Sequence, residues 1–247
     1  MRAAITPIVA VMALSVATPV AAQTWSERGF LSGNGAYQPT TNDFSDRFQF
    51  EKDLETGSTD VDYPVKGGVV FDGGGGVRLW KGLGAGVAVS YFSHKSPAAT
   101  RTRSPHPFHL NQFRDVSGDS RDLSRTETAV HVQAMYFWDP DGPLRVVVSG
   151  GPTFFSVEQE LVASVQLAEE YPYDTAQFSS VRAEKVKESK VAFNVGADVL
   201  WMFSRSIGLG GLVRFSRAGV DLRAPNNRTV SVDAGGVYAG GGLRVVF

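Results

Sequence analysis

The chain has 247 residues, 43% hydrophobic and 20% charged, with 24 basic and 25 acidic side chains and a formal net charge of −1. Near-neutrality gives no electrostatic reason for a nucleic-acid partner. The absence of cysteine excludes a disulfide framework, a thiol nucleophile and any cysteine metal centre.

The first 22 residues have the layout of a secretory signal peptide. Arg2 supplies one positive charge, an apolar run follows through Val20, and Val20 and Ala22 are small residues placed for cleavage after Ala22. A mature domain over 23–247 is expected. No later stretch reaches the roughly 20 apolar residues a membrane helix needs. An exported chain of this kind is either soluble or inserted as a β-barrel.

From there the chain reads at period two. The candidate strands, in order, are Gly29–Gln38, "VVFDGGGGVRLW" (69–80), Leu83–Ser93, Ala129–Trp138, "LRVVVSGGPTF" (144–154), Lys190–Phe203, "IGLGGLVRFSR" (207–217) and Thr229–Phe247. In Lys190–Phe203, for example, Val191, Phe193, Val195, Val199 and Trp201 alternate with Asn194, Gly196 and Asp198. The polar face is sparse, made of glycine, serine, asparagine and single charges, where a soluble sandwich would carry a fully solvated surface. Aromatic residues gather near strand ends: Tyr37, Trp80, Tyr91, Trp138, Trp201 and Phe247. Aromatic girdles flanking an apolar band are what the two interfaces of a bilayer select. Glycine, at 27 residues, fits an inner face where bulky neighbours need room.

The connections alternate in length. Short turns fall near 81–84, 139–143 and 204–208, and polar segments at 39–66, 94–127, 164–188 and 223–228. With both termini at one end, all the short turns share that end. The expectation is an all-β, eight-stranded antiparallel up-and-down transmembrane β-barrel, with short periplasmic turns and long extracellular loops. Two loops carry further alternation. Segments 155–167 and 176–189 are expected to extend as a hairpin with 169–174 at its tip, and 48–65 to form a smaller hairpin turning at Thr56-Gly57. Hairpins with unpaired edges either cap the barrel mouth or capture another chain by strand addition.

The eight strands, the leader and the closing "VSVDAGGVYAGGGLRVVF" together resemble the small OmpA/OmpX-like outer-membrane β-barrels, across residues 28–247. The resemblance implies that Leu243, Val245 and Phe247 form the insertion signal read by the barrel-assembly machinery. It also implies a monomer in the outer membrane of a Gram-negative-type bacterium, reached through the periplasm, among lipid and lipopolysaccharide.

Projected inward, the alternation yields a lumen set: Asn34, Asp72, Arg78, His131, Gln133, Arg145, Asp198, Arg214 and Arg244. Lone charges in so narrow a space must pair. They are expected to form an ion-pair network that plugs the barrel, with Arg244 directed at Asp72 or Asp198. The alternative is a narrow, anion-preferring pore. Arg101, Arg103, Arg114, Arg121 and Arg125 crowd the second long loop and are candidate surface contacts, whether simply solvated or matched to lipopolysaccharide phosphates. His106 and His109 supply only two ligands, so no metal is assigned, and nothing calls for a cofactor. The glycine run in 72–76 opens no helix and is no phosphate cradle. No GxSxG, P-loop or HExxH occurs, and the chain is expected to act as a structural or surface-binding protein, with an unidentified extracellular partner. A channel for small solutes is the second reading and a lipid A-modifying enzyme the third.

Overall fold

The computed structural model describes residues 28–138, 144–225 and 228–247, with no α-helix among them. The twelve strands are β1 (Gly29–Gln38), β2 (Phe44–Lys52), β3 (Glu55–Tyr63), β4 (Gly68–Trp80), β5 (Leu83–Ser96), β6 (Ala99–Pro105), β7 (Phe113–Asp119), β8 (Leu123–Trp138), β9 (Leu144–Glu169), β10 (Ala176–Met202), β11 (Ile207–Ala224) and β12 (Arg228–Val246). Eight of them close a barrel in the order β1-β12-β11-β10-β9-β8-β5-β4, and β2-β3-β6-β7 form a separate sheet. Every barrel pairing is antiparallel. The proposed leader, and the expected turn at 139–143, lie outside the described residues.

Closure leaves no free edge at the β1–β12 seam. Phe30 pairs with Val246 and Tyr37 with Ala239. Phe247 continues the ladder, its carbonyl accepting from the Arg28 and Gly29 amides and its own amide donating to Gly29. This answers the need of each backbone amide for a partner within the sheet.

The alternation sorts side chains as the period-two pattern predicts. Val69, Phe71, Val87, Val89, Val195, Val199, Leu209, Val213, Leu243 and Val245 point outward and are 43–63% exposed. Aromatic side chains ring both borders of that band. Tyr37, Phe71, Tyr91, Phe154, Phe193 and Phe215 mark one border, and Trp80, Tyr136, Trp138, Trp201, Phe203 and Phe247 the other; all are exposed. Between Phe193 and Phe203 a tilted strand rises about 25 Å, the thickness of a bilayer-spanning apolar band.

The two ends differ. At one, the connections are short: Lys81-Gly82 join β4 to β5, and residues 203–206 join β10 to β11. There the interior is filled by Phe30, Met135, Val147, Leu200 and Val246, with Phe137 and Met202 against them. At the other end β9 and β10 run far past the barrel. β8 pairs with β9 only as far as Arg125 with Gln159, whereas β9 and β10 stay paired to Glu169 and Ala176. The tip at 170–175 agrees with the expected extended hairpin.

The second sheet corrects two expectations. The segment read as a polar loop at 94–127 holds β6 and β7, which join the 44–63 hairpin through β3–β6 pairing. That hairpin turns at Asp53-Leu54, both with positive φ (53° and 68°), not at Thr56-Gly57. Gly57 is instead a packing position, because a side chain there would strike the Phe50 ring and the Arg103 carbonyl, 2.9 Å away. The inner face of this cap sheet seats Phe48, Val61 and Tyr63 on a large apolar core with Leu123, Phe155, Leu161, Val162, Val220, Leu222 and Val230. Tyr63 also accepts a hydrogen bond from the Val162 amide through its hydroxyl, at 2.8 Å.

Candidate functional site

Between the two apolar clusters lies a polar layer, built from the few hydrophilic residues that the alternation turns inward. β4, β1, β12, β10 and β11 contribute its charged half. Arg214 bonds Asp72 and, at 2.9 Å, the Tyr238 hydroxyl, which donates to Asp72 at 3.0 Å. Asn34 donates to the other Asp72 oxygen at 3.1 Å and accepts from Arg244 at 2.6 Å. Arg244 closes the chain with a two-pronged grip on Asp198, at 3.1 and 2.7 Å. Two arginines and two aspartates therefore balance in charge, and all four residues are less than a tenth exposed. Space for Arg244 is made across the lumen wall by Gly210, where a Cβ would sit 2.7 Å from the guanidinium.

β5, β8, β9 and β10 supply the uncharged half. His131 contacts the Ser90 hydroxyl (3.0 Å) and the Thr153 hydroxyl (2.8 Å) through its two ring nitrogens. Asn194 donates to Thr153 at 2.8 Å and accepts from Gln133 at 2.9 Å, and Gln133 reaches Ser149 at 3.0 Å. Arg78 and Arg145 stand lower, at the short-turn end and only half-buried. The Arg78 guanidinium lies 4.9 Å from the Phe137 ring centre. Of the predicted lumen residues, seven thus meet in the central layer and these two sit beneath it. Tyr238 and Asn194 stand outside the predicted lumen set, although both share the even parity of Arg244 or Asp198 along their strands.

The five loop arginines separate. Arg101 and Arg103 are exposed on the outer face of the cap sheet, in a shallow cleft with Arg47, Asp60, Ser58, Asp115 and Ser117. Arg121 is exposed and paired with Glu160 at 3.0 Å. Arg114 and Arg125 are not surface residues. Arg125 is 2% exposed, bonds Glu127 at 2.7 Å and reaches the Asp233 carbonyl. It lies on the same inward parity as His131, because the β8 alternation continues back to Leu123. Arg114 is 6% exposed, 2.6 Å from Glu169, and donates to the carbonyls of Pro105 and Tyr173. Burial makes both of them internal ties and removes them from any contact surface.

These ties set local acidity. Burial pushes the Glu169 carboxyl up, but Lys52 and Arg114 outweigh it and hold the group below its ordinary value. Glu160 behaves likewise, with Arg121 and the Ser124 amide countering burial. Asp60 is lowered by its hydrogen bond from Arg47. The His106 and His109 rings meet at 4.7 Å between centres, tilted by 40°, with Asp174 3.6 Å from His106. Among the described residues no group of three or more His, Cys, Asp or Glu is arranged to hold a metal.

No family model and no curated protein matches the chain. Among solved structures it is similar to Neisserial surface protein A, at 11% identity over 89% of this chain and 97% of that one, with a TM-score of 0.46. It is similar to the outer membrane protein OprG from Pseudomonas aeruginosa, at 10% identity over 90% and 96%, TM-score 0.47. The outer membrane protease OmpT from Escherichia coli aligns at 7% identity over 88% and 97%, TM-score 0.48. Its structural neighbours are small outer-membrane β-barrel proteins. At such identities they lend no residue role to this chain.

Proposed function

We propose that this chain is an integral outer-membrane β-barrel whose lumen is sealed and whose work is done by the surface it raises above the membrane. The observation that carries the reading is the inversion of the barrel's middle: apolar side chains face outward between two aromatic rings, while charged and hydrogen-bonding residues meet inside at the same level. In water such a band would drive aggregation, and in lipid it is the stable arrangement. Residues 1–22 serve as the export signal in this reading, and Leu243, Val245 and Phe247 as the insertion signal recognised by the assembly machinery. The short-turn end faces the periplasm and the cap faces outward, where the exposed Arg101, Arg103 and Arg121 meet lipopolysaccharide or a binding partner.

Three stacked layers support the reading of a sealed lumen. The apolar cluster around Phe30 and Met135 closes the periplasmic end, the paired charges close the middle, and the core beneath the cap sheet closes the top. A structural or surface-interaction role fits this construction better than passage of solutes. The test is fractionation combined with heat-modifiable mobility on a cold detergent gel. Recovery in the outer membrane with a band that shifts on boiling is expected, whereas a soluble protein with no shift would refute the assignment.

A further inference from the structure

Outside the lipid-facing band, the exposed large apolar side chains among the described residues are Leu54, Phe108, Leu110 and Tyr171. They come from three separate turns, and the fold brings those turns together. The Asn111 amide donates to Glu55 at 2.9 Å, joining the β6–β7 loop to the β2–β3 turn. Phe108 meets Tyr173 edge-on at 5.4 Å, and Tyr173 meets Tyr171 at 6.1 Å, joining the same loop to the β9–β10 tip. Lys52 bonds Glu169 at 2.6 Å and closes the triangle.

Folding does not account for this crown. Leu54 is 101% exposed and sits at φ 68° in a two-residue turn where glycine is preferred, so it adds strain and buries nothing. Tyr173 and Asn111 also have positive φ, at 73° and 60°. Asn tolerates that region and Tyr173 is held there by its ring and carbonyl contacts, so the strain without a folding role is at Leu54, and it points to a use for the side chain displayed there. The crown is also remote from the membrane that the barrel spans. From Phe154 in the upper aromatic ring to Glu169 at the tip, β9 rises roughly 40 Å.

We infer that the crown is a lipid-contacting tip that inserts into an apposed zwitterionic bilayer. Leu54, Leu110, Phe108 and Tyr171 project from turns, each more than three-fifths exposed. Protruding aliphatic and aromatic side chains of this kind enter the interfacial zone of a bilayer without needing a complementary pocket. Asp53, Glu170 and Asp174 are exposed around them, while the nearby cations Lys52 and Arg114 are occupied by Glu169. That local excess of negative charge repels anionic lipid, disfavours self-association of two crowns, and suits choline headgroups. The inference rests on the outward orientation of the cap proposed above.

The chain has no cysteine, so a single reporter is clean. L54C labelled with an environment-sensitive nitrobenzoxadiazole dye is placed in nanodiscs, and phosphatidylcholine or phosphatidylglycerol vesicles are added. The dye is expected to brighten and shift to the blue with phosphatidylcholine, and much less with phosphatidylglycerol. A dye at S117C on the cap face is expected to stay silent, and F108S/Y171S in the L54C background to weaken partitioning about tenfold. No change at L54C, an equal change at S117C, a stronger response to phosphatidylglycerol, or an undiminished response in F108S/Y171S would each overturn the inference. Each protein is first shown to be heat-modifiable, which separates failure of the tip from failure of the barrel.

Discussion

Arg244 in the lumen and Arg47 on the outer face of the cap each hold an aspartate through two hydrogen bonds. The first guanidinium is fully buried against Asp198, and the second side chain is 70% exposed against Asp60. The same ion pair therefore does different things in the two regions. In the lumen each charge has given up its water, so partner and neighbours must be complete, and Asn34, Tyr238 and Asp72 complete them. On the cap, water screens the pair and either partner can leave at little cost. The lumen is a fitted interior, whereas the cap face is a solvated sheet whose charges stay in contact with water.

Substitutions that remove one partner break this contrast most sharply. Asp198→Ala leaves Arg244 buried and uncompensated, and is expected to destabilise the barrel by about 3–5 kcal/mol, read from the denaturant midpoint in detergent. Replacing both partners by apolar residues, as in D198L/R244M, is expected to recover most of that loss. A double variant as unstable as D198A would mean that the pair itself, and not the orphaned charge, carries the stability.

A smaller, pH-dependent effect belongs to the joint between cap and hairpin. Glu169 and Glu160 are held below the ordinary glutamate value of 4.5, so their contribution is complete above it and is lost as pH falls through their lowered values. Amide exchange at the β9–β10 tip and in β7 is expected to speed up below about pH 4.5 while the barrel strands stay protected. E169Q is expected to remove much of this dependence, and equal acceleration throughout the barrel would contradict a local joint. The smallest effect is assigned to Arg47→Ala, below about 1 kcal/mol in the same denaturant assay. A loss comparable to that of D198A would erase the distinction between the two regions.

How much of this was readable from residues follows from the physics of alternation. Where an apolar face alternates with a sparse polar one, as in Val191 to Phe203, strand and facing are evident together, and Asp72, Asp198, Arg214 and Arg244 were placed inward on that basis. β6 escaped because its inner face carries Thr100, Thr102 and Ser104 in place of apolar residues. Thr100 donates to the Gly118 carbonyl (2.7 Å), Thr102 pairs with Thr59 (3.0 Å) and Ser104 accepts from Arg114 (3.5 Å), contacts that no hydrophobic period reveals. Arg125 was read as a surface residue because the loop was given too much of the chain. The polar inward residues Arg125 and Glu127 masked a strand that begins at Leu123. The 53–54 turn lacked the expected Asn-Gly or Asp-Gly pair, since Leu54 stands where glycine would. The crown of apolar tips depends on β3 pairing with β6, a contact between distant segments that local pattern does not encode.

The central claim is a membrane-spanning barrel with a closed interior. It is tested most directly by single-channel recording of heat-modifiable protein in a planar bilayer. The account predicts insertion with no conductance steps above the lipid background. Reproducible anion-selective steps that disappear in Arg145→Glu would contradict it and reinstate an open path through the lumen.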